Sequence, residues 1–341
     1  MANPIEHVVI IVKENHSFDN YFGTFPGAAG MVLPAATDPQ LTDPPHDHAA
    51  WLRAQAKGGG FQGQYSKADL AAYWAFAQQY VLCDHYFTDV ASQSEPNHLH
   101  LIAADSPIIN NASATRTYQP QPPYVLPNLP ATLESVGKTW RNYSDPNASY
   151  FEHIAGLKGH AWNVRSGQFD KDAAAGALPH VSWLYAPGSA SEHPGDLAKT
   201  GKPQVGPGMQ WTADRIHAAA TGPLWAKTAI FVTWDDWGGW FDHVTPPAAA
   251  TWPGAGPAGY TGSQFRYGPR VPCLVISPYA RQGIDHNLYS HVSIVKFCIR
   301  LFGLQAWGAP ALKSTDKSGD LWKAFDFAKK PRLAVPSPVP V

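Results

Sequence analysis

Two pairs of polar residues have the types and the setting that divalent-cation chemistry needs. Asp235 and Asp236 follow the apolar run TAIFVTW, and Glu14 and Asn15 follow the run HVVIIVK near the N-terminus. Adjacent carboxylates repel one another, and a cation between them offsets that repulsion. The aspartates also fit an ordinary solvent-exposed turn, in which aspartate is common. The metal-site interpretation is favoured if the two pairs meet in the fold.

A serine lies in a setting that suits a nucleophile. The segment Ser94-Glu95-Pro96 shortly precedes LHLIAA, which is typical of a helix N-cap followed by a first turn with an early proline. The N-terminus of a helix attracts anions through its dipole and its unpaired N–H groups. Ser94 as a capping residue and nothing more is the commoner outcome for such a segment. Its position relative to the acidic pairs decides between the two interpretations.

The elements that must position these groups follow from the hydrophobic patterns. The predicted strands are residues 7–13, 138–145, 179–187, 228–236 and 270–280. The predicted helices are residues 67–81, 211–220 and 289–302, with shorter helices starting at Ser17 and Ser94. Strands that alternate with helices indicate a mostly parallel sheet, whose strands share one carboxyl edge. Ligands bind at that edge, so Glu14-Asn15, Ser94, Asp235-Asp236 and His193 (which follows the 179–187 strand) can converge.

Composition bounds the class of protein. The chain has 341 residues, 44% hydrophobic and 15% charged, with 32 Pro and 29 Gly, which is typical of a globular protein with long loops. We find no internal repeat or clean linker, so one domain over residues 1–341 is expected. The net charge of −1 argues against a nucleic-acid partner. Three cysteines in apolar segments predict buried free thiols: Cys83, Cys273 and Cys298.

Targeting signals do not settle the cellular location. The N-terminal residues MANPIEHVVIIVKEN lack a basic segment followed by an apolar one, and no apolar run has the length of a membrane helix. We therefore expect no signal peptide in this chain and no transmembrane segment. A cytoplasmic protein has such a sequence, and so does a secreted or periplasmic protein after removal of its signal.

The residue types suggest metal-assisted phosphoryl transfer. Carboxylate and amide oxygens are hard ligands that suit a divalent cation. A serine bonded to that cation loses its proton more easily and becomes a nucleophile near neutral pH. Amides at a helix N-terminus can hold the oxygens of a phosphoryl group. These arguments favour a phosphoserine intermediate, but they do not separate it from metal-dependent hydrolysis in general.

Several segments, in the same order, resemble one known family. They are ENHSFDNYFGTFPG (14–27), DPPH (43–46), LCDHYF (82–87), SEPN (94–97), VSWLYAP with HPGD (181–196), TAIFVTWDDWGGWFDHVTPP (228–247), YGPRVPCLVISPYAR (267–281) and SHVSIVKF (290–297). The sequence resembles the phosphoesterase family of bacterial and plant phospholipases C and acid phosphatases, in the alkaline-phosphatase-like superfamily. The resemblance implies an α/β fold, an α/β/α sandwich with a mostly parallel central sheet and long inserted loops.

The resemblance also implies roles for individual residues. The implied metal ligands are Glu14, Asn15, Ser94, Asp235 and Asp236. The implied catalytic residues are Ser94 as nucleophile, His193, and His46, for which His48 is a close rival. Residues expected behind the site are His48, Asp242, His243 and His291. The identity of the divalent cation stays open among Ca, Mg, Mn, Fe and Zn.

Three functions are compatible with this reading. The first is a phospholipase C that cleaves the glycerol–phosphate ester of phospholipids such as phosphatidylcholine, with peripheral membrane contact left open. The second is an acid phosphatase that uses the same site on small phosphate esters, and the third is a non-catalytic phosphate- or metal-binding protein. The sequence departs from the usual family pattern at His16 and His98, where arginine is usual, and at Asp236, where glutamate is common. These departures leave the substrate preference open.

Overall fold

The computed structural model describes residues 3–146, 148–195, 202 and 204–339. Asp196, the last residue of the HPGD segment, lies outside the described residues. The strands are β1 (His7–Lys13), β2 (Val81–Cys83), β3 (Tyr86–Phe87), β4 (Trp140–Tyr143), β5 (Asn163–Val164), β6 (Val181–Tyr185), β7 (Thr228–Trp234), β8 (Cys273–Ile276), β9 (Gly283–Asp285) and β10 (Tyr289–Ser290). The helices are α1 (Phe18–Phe22), α2 (His48–Lys57), α3 (Ala71–Gln79), α4 (Ser94–Ala103), α5 (Leu129–Ser135), α6 (Gln168–Ala175), α7 (Val205–Thr221) and α8 (His291–Phe302).

Eight of the strands form one sheet in the order β5-β4-β6-β1-β7-β8-β2-β9. Its strand pairs are parallel except those that β8 makes with β7 and β2. β1 lies between β6 and β7, with Val12 opposite Tyr185 on one side and Thr233 on the other. The carboxyl ends of these three central strands therefore lie at one edge of the sheet.

The two longest central strands are buried along almost their whole length. The β-branched residues of β1 and the apolar residues of β7 are covered on both faces, as continuous hydrophobic runs in a parallel sheet require. Helices provide that cover, with α4 packed on α8 and α6 packed on α7. The expected α/β/α sandwich with a mostly parallel sheet is confirmed.

Some element predictions were wrong in detail. α4 begins at Ser94 and its N-cap is Gln93, because the Ser94 hydroxyl bonds to a distant carboxylate instead of to the backbone of its own helix. The strand predicted over 270–280 is the short antiparallel β8, since strand direction depends on tertiary pairing. α5, which Asn128 caps, was not predicted, because its segment shows no helical hydrophobic periodicity. The three cysteines are buried and free, as predicted.

The length and apolar character of the helices bear on whether the chain could span a membrane. Across the part of the chain that the structure describes, no helix is both long and apolar enough to span a membrane. The expectation of one domain over residues 1–341 stays a prediction.

Candidate active site

The chain leaves β1 through Asn15, which holds several parts of the site together. Asn15 is buried and has φ +59°, a left-handed conformation that asparagine tolerates better than most residues. Its backbone N–H donates to Asp235 Oδ1 at 2.9 Å. Its side-chain Nδ2 lies 3.1 Å from His46 Nε2 and 3.2 Å from His193 Nε2. Asn15 therefore joins the carboxylates after β7 to two imidazoles.

The backbone around the two imidazoles explains how Asn15 can donate to both. His46 Nδ1 lies 2.7 Å from the Pro44 carbonyl, and His193 Nδ1 lies 2.8 Å from the Pro194 carbonyl. A carbonyl can only accept, so each Nδ1 carries a proton and donates it. In the neutral rings each Nε2 is then an acceptor and receives the Asn15 amide. This orientation turns Asn15 Oδ1 away from the rings.

The two aspartates that follow β7 have different partners. The Asp236 carboxylate accepts from the Gly238 N–H at 2.6 Å through Oδ1 and from the Ser94 hydroxyl at 3.1 Å through Oδ2. Asp235 Oδ2 lies 3.3 Å from His98 Nε2. Both aspartates are fully buried, so the turn after β7 is not a solvent-exposed one.

Burial and mutual repulsion drive the pKa values of the two carboxyls apart. Burial and the neighbouring Asp235 charge raise the pKa of Asp236 well above its ordinary value. Burial also opposes ionisation of Asp235, but the hydrogen bond and charge from His98, with a further hydrogen bond from the Asn15 N–H, hold the pKa of Asp235 below the ordinary value. Two like charges buried side by side have their pKa values separated in this way.

Ser94 lies in the first turn of α4, at the positive end of its dipole. The Glu95 N–H already donates to Asn111 Oδ1 at 2.8 Å, and Pro96 has no N–H. Two of the first three backbone positions of α4 are therefore not available to an anion. Neither position can therefore hold a phosphoryl oxygen, and the part of other first-turn amides in phosphate binding stays a prediction. Ser94 itself faces a cavity.

That cavity has a volume of about 410 Å³ and opens beside the carboxyl edge of the sheet. Four of the residues singled out in the sequence line it: Glu14, His46, Ser94 and His193. The other lining residues come from loops around the sheet edge: Asp43, Gln93, Asn111, Asp145, Pro146, Ala148, Tyr150, Ala186, Gly188 and Ser191. Residues that are far apart in the sequence thus share one concave and largely polar surface.

The structure adds His98, which sequence reasoning did not propose as a site residue. Its Nε2 lies between Asp235 Oδ2 at 3.3 Å and Glu14 Oε1 at 3.9 Å. His98 is fully buried, and its ring stacks on Tyr185 with centroids 5.3 Å apart. The available signal was the unusual histidine in the SEPNH segment, four residues after Ser94.

Three of the four residues expected behind the site make their hydrogen bonds elsewhere. His48 contacts the Ala91 carbonyl and the Ser263 hydroxyl, so it is not a rival of His46. Asp242 and His243 belong to an ion cluster with Asp19 and Arg270, in which the Asp19, Asp242 and Arg270 side chains are buried and His243 lies at the exposed side.

His291 does reach a proposed ligand, but through the backbone. Its Nε2 lies 2.7 Å from the Asp235 carbonyl, and its Nδ1 lies 3.2 Å from the Tyr86 hydroxyl. Burial lowers the pKa of His291 to about 3, so the ring is neutral and donates to that carbonyl. His291 thereby supports the turn that carries the two aspartates.

The residues present fit a divalent cation. Asn15 Oδ1 is a buried acceptor that has no hydrogen-bond partner among the described residues. Around it the chain supplies the Glu14, Asp235 and Asp236 carboxylates and the Ser94 hydroxyl, all of them hard oxygen donors. A group of Glu14, Asp235 and His98 has one ligand atom each within 4.8 Å of the others. This donor set suits a divalent cation, and it does not select one.

Comparison with known families and proteins fits this geometry. A model described as the Phosphoesterase family matches residues 5–43 and 36–305. The chain belongs to the Phosphoesterase family. That match covers most of the chain, including every residue proposed for the site, and it confirms the resemblance read from the sequence motifs.

Curated relatives of this phosphoesterase-family protein are phospholipases C. It is 27% identical to the non-hemolytic phospholipase C of Pseudomonas aeruginosa, over 95% of this chain and 57% of that protein. It is 28% identical to phospholipase C A of Mycobacterium tuberculosis, over 98% of this chain and 79% of that protein. It is 23% identical to the non-specific phospholipase C6 of Arabidopsis thaliana, over 89% of this chain and 69% of that protein. The chain thus spans little more than half the length of the Pseudomonas relative.

Solved structures with the same fold are more distant in sequence. The lipoteichoic acid synthase LtaP from Listeria monocytogenes superimposes with a TM-score of 0.51 at 10% identity, over 93% of this chain and 75% of that one. A 2-O GAG sulfatase superimposes with a TM-score of 0.52 at 9% identity, over 96% of this chain and 76% of that one. The fold of this phosphoesterase-family protein is therefore alkaline-phosphatase-like, as predicted.

Proposed function

We propose that this protein is a metal-dependent phosphoric-ester hydrolase of the phospholipase C type. Its substrate is a phospholipid such as phosphatidylcholine, and the bond cleaved is the glycerol–phosphate ester. The observation that carries the proposal is the position of Ser94, whose hydroxyl bonds to Asp236 at 3.1 Å where α4 begins. The serine also lines the same cavity as His46 and His193.

The residues that would hold the cation are Glu14, Asn15, Ser94, Asp235 and Asp236. When bound, a divalent cation lowers the pKa of a coordinated hydroxyl and offsets the charge of the phosphate. In the protein alone, Ser94 directs its proton to Asp236, which leaves the oxygen lone pairs of Ser94 for attack from the cavity. Asn15 keeps His46 and His193 side by side at the floor of the site.

The proposed reaction has two displacements at phosphorus. In the first, a bond forms between Ser94 Oγ and phosphorus while the bond from phosphorus to the glycerol oxygen breaks. The departing oxygen takes a proton from the protonated form of His193, or of His46 as the second candidate, acting as a general acid. In the second, water attacks phosphorus and gives a proton back to the same histidine, while the bond from phosphorus to Ser94 Oγ breaks. The phosphorylated head group leaves, and Ser94 regains from Asp236 the proton that Asp236 took in the first displacement.

The charge of the cavity favours a diester over a monoester. Besides Glu14, which is assigned to the cation, Asp43 and Asp145 place two carboxylates on its lining. A phosphodiester carries one negative charge, whereas a phosphomonoester carries close to two near neutral pH. The second charge costs more in an acidic cavity because like charges repel. The same carboxylates would attract a cationic head group such as that of phosphatidylcholine.

One observation supports acid phosphatase activity as a second candidate. By the family resemblance, a serine at position 94 matches the acid phosphatases, whereas the phospholipases C of that family usually have threonine at this position. The nucleophile, the histidines and the metal ligands would be the same in both activities. The third candidate, a protein that binds phosphate or metal without turnover, leaves a cavity-facing serine bonded to a buried carboxylate without a use.

A substrate panel tests these candidates. Purified protein supplied in turn with Ca, Mg, Mn, Fe and Zn ions is assayed on phosphatidylcholine vesicles, p-nitrophenylphosphorylcholine and p-nitrophenyl phosphate. We expect turnover of the two choline diesters to exceed turnover of the monoester. Faster turnover of p-nitrophenyl phosphate would favour the acid phosphatase, and no turnover of any substrate with any metal would favour the binding protein.

The nucleophile is tested with a matched pair of serine variants. Ser94→Ala should lower turnover at least about 10³-fold, and Ser135→Ala, which changes an exposed serine on α5, should not. Mass spectrometry of acid-quenched wild-type reactions with a choline diester should detect phosphorylcholine on Ser94. Near wild-type activity of Ser94→Ala would remove Ser94 from the mechanism.

A further inference from the structure

We propose that His98 is a ligand of the cation through Nε2, which makes the metal site a mixed nitrogen and oxygen site. The inference rests on the proposed function, because it concerns the same cation. It adds a residue that neither the sequence motifs nor the five oxygen ligands include. It also narrows the choice of metal, which those ligands leave open.

The first support is the spacing of three ligand atoms. His98 Nε2 lies 3.3 Å from Asp235 Oδ2 and 3.9 Å from Glu14 Oε1, and all three atoms lie within 4.8 Å of one another. Ligands bonded to one ion at about 2.1 Å are separated by roughly 3 to 4 Å. The two separations from His98 Nε2 therefore match those of ligands on a shared ion, and the third lies within 4.8 Å.

The second support is the surroundings of the imidazole. His98 is fully buried, and its Nδ1 has no hydrogen-bond partner among the described residues. The nearby Tyr185 hydroxyl is likewise buried without a partner in the described chain. The ring is held by stacking on Tyr185 and by an edge contact with Tyr150, at centroid distances of 5.3 and 4.8 Å. Among the described residues, both polar contacts of the ring are made through Nε2, to the carboxylates of Asp235 and Glu14, and both are longer than an ordinary hydrogen bond. A fixed, buried imidazole with such contacts is poorly satisfied as a structural residue.

The third support is the geometry of α4. Ser94 and His98 are four residues apart, so they lie on one face of the helix, one turn from each other. Ser94 contacts Asp236 and His98 contacts Asp235. One helix face thus brings two side chains to the two consecutive carboxylates after β7. We assign Ser94 as the nucleophile and His98 as a ligand of the metal.

A nitrogen ligand has a consequence for metal choice. Ca²⁺ and Mg²⁺ prefer sites made of oxygen atoms, whereas imidazole suits Zn²⁺, Fe²⁺ and related transition ions. We therefore expect the protein to bind Zn²⁺ more tightly than Ca²⁺. Replacement of His98 should reduce that preference, because the carboxylates and Asn15 that remain are oxygen donors.

The test measures metal affinity instead of activity. Chelator-treated wild-type protein, His98→Ala and His98→Gln are titrated with Zn²⁺ and with Ca²⁺ in a calorimeter, and Co²⁺ binding is followed by visible absorption. His100→Ala is the matched control, since His100 is buried on the same helix and its Nδ1 contacts the Pro96 carbonyl. Glutamine keeps a polar side chain at position 98, so this variant covers the case in which alanine prevents folding.

The ratio of the Zn²⁺ and Ca²⁺ affinities decides the result. We expect it to fall at least about tenfold in both His98 variants, with a changed Co²⁺ spectrum, and to stay unchanged in His100→Ala. Structural damage to the site would lower both affinities together. A ratio that is the same in the folded His98 variants as in the wild type would overturn the proposal. If the wild-type protein bound no divalent cation, the metal dependence of the proposed function would fail, and the His98 assignment would fail with it.

Discussion

Asn15 joins the candidate metal site to the candidate acid–base residues through a single side chain. Its amide nitrogen donates to His46 and His193, its backbone N–H donates to Asp235, and its amide oxygen is left for a cation. Aspartate has nearly the same shape but cannot donate from its side chain. The geometry thus explains why an amide, and not a fourth acid, stands beside Glu14.

We expect Asn15→Asp to lower kcat/KM by about 100-fold or more while the protein stays folded. The carboxylate would lose both donor bonds, so the two imidazoles would lose their common anchor, and small displacements of catalytic groups are costly. Steady-state assays with p-nitrophenylphosphorylcholine measure the effect, and thermal unfolding serves as the folding control. Full activity of this variant would contradict the anchoring role.

The residue before His193 is a buried carboxylate with a full set of partners. Glu192 accepts hydrogen bonds from the hydroxyls of Tyr21 and Tyr73 and from the Trp234 indole, and it pairs with Lys13 at 3.2 Å. Burial raises the pKa of Glu192 and lowers the pKa of Lys13. Because both groups are fully buried, removal of one partner leaves the other uncompensated.

We expect Glu192→Ala to lower the free energy of unfolding by about 3–5 kcal/mol. The matched control is Glu6→Ala, which removes a half-exposed ion pair with Lys227 and should change that free energy by about 1 kcal/mol or less. Urea unfolding of both variants and the wild type provides the comparison. Equal effects of the two substitutions would show that the buried pair adds no more to stability than the exposed pair.

At the scale of elements, the site depends on three central strands that end together and on the turn after β7. β1, β6 and β7 run parallel. Asn15, His193 and Asp235 follow these strands at the carboxyl edge of the sheet. The turn after β7 passes close to the chain after β1. A Cβ on Gly238 would lie 2.3 Å from the Asn15 carbonyl oxygen, and Gly238 has φ +57°, so glycine is required there.

Gly238→Ala should therefore harm both stability and activity. Alanine would have to push Asn15 away, which would disturb its contacts in the site, so we expect kcat/KM to fall at least about tenfold. Gly303→Ala is the control, because Gly303 has φ +62° but a Cβ there would meet nothing within 4 Å. That control should cost about 1 kcal/mol of stability and leave kcat/KM unchanged. Equal activity of the two variants would contradict the close-approach argument.

At the scale of the whole molecule, metal binding should be coupled to folding. The carboxylates of Asp235 and Asp236 are buried side by side, and a cation bound only by the folded state would stabilise that state by mass action. At a free metal concentration 100 times the Kd, the gain is about 2.7 kcal/mol. A strong chelator should therefore lower the Tm and abolish activity, and added metal should restore both.

The matched variant for this experiment is Asp236→Asn, which should reduce the effect of the chelator because it removes one ligand charge. Differential scanning fluorimetry and activity assays on the same samples measure both quantities. A Tm and an activity that are identical with and without chelator would count against the five-ligand proposal.

The hydrophobic core bears on the domain expectation. One continuous cluster of buried apolar residues contains Ile5 near one end of the described chain and Phe325 near the other. We therefore propose that residues 1–341 form one catalytic domain. Calorimetry should detect one unfolding transition with equal calorimetric and van't Hoff enthalpies, and two separate transitions would contradict this proposal.

The sequence by itself determined the features that depend on neighbouring residues. The β-branched run of β1 and the apolar run of β7 predicted buried strands, and the polar pairs directly after them predicted a site at the sheet edge. The motif around Ser94 indicated a helix start, correct to within one residue. These inferences hold because hydrophobic periodicity and strand-end chemistry are local properties.

Only the tertiary structure decided which distant side chains meet. It placed His46 in the cavity and His48 outside it, although the two are neighbours in the sequence and offer the same chemistry. It also placed His98 beside Asp235 and set β8 antiparallel to its neighbours β7 and β2. The physical reason is that such contacts depend on strand order and on the helix face that packs inward, which no single segment of the sequence encodes.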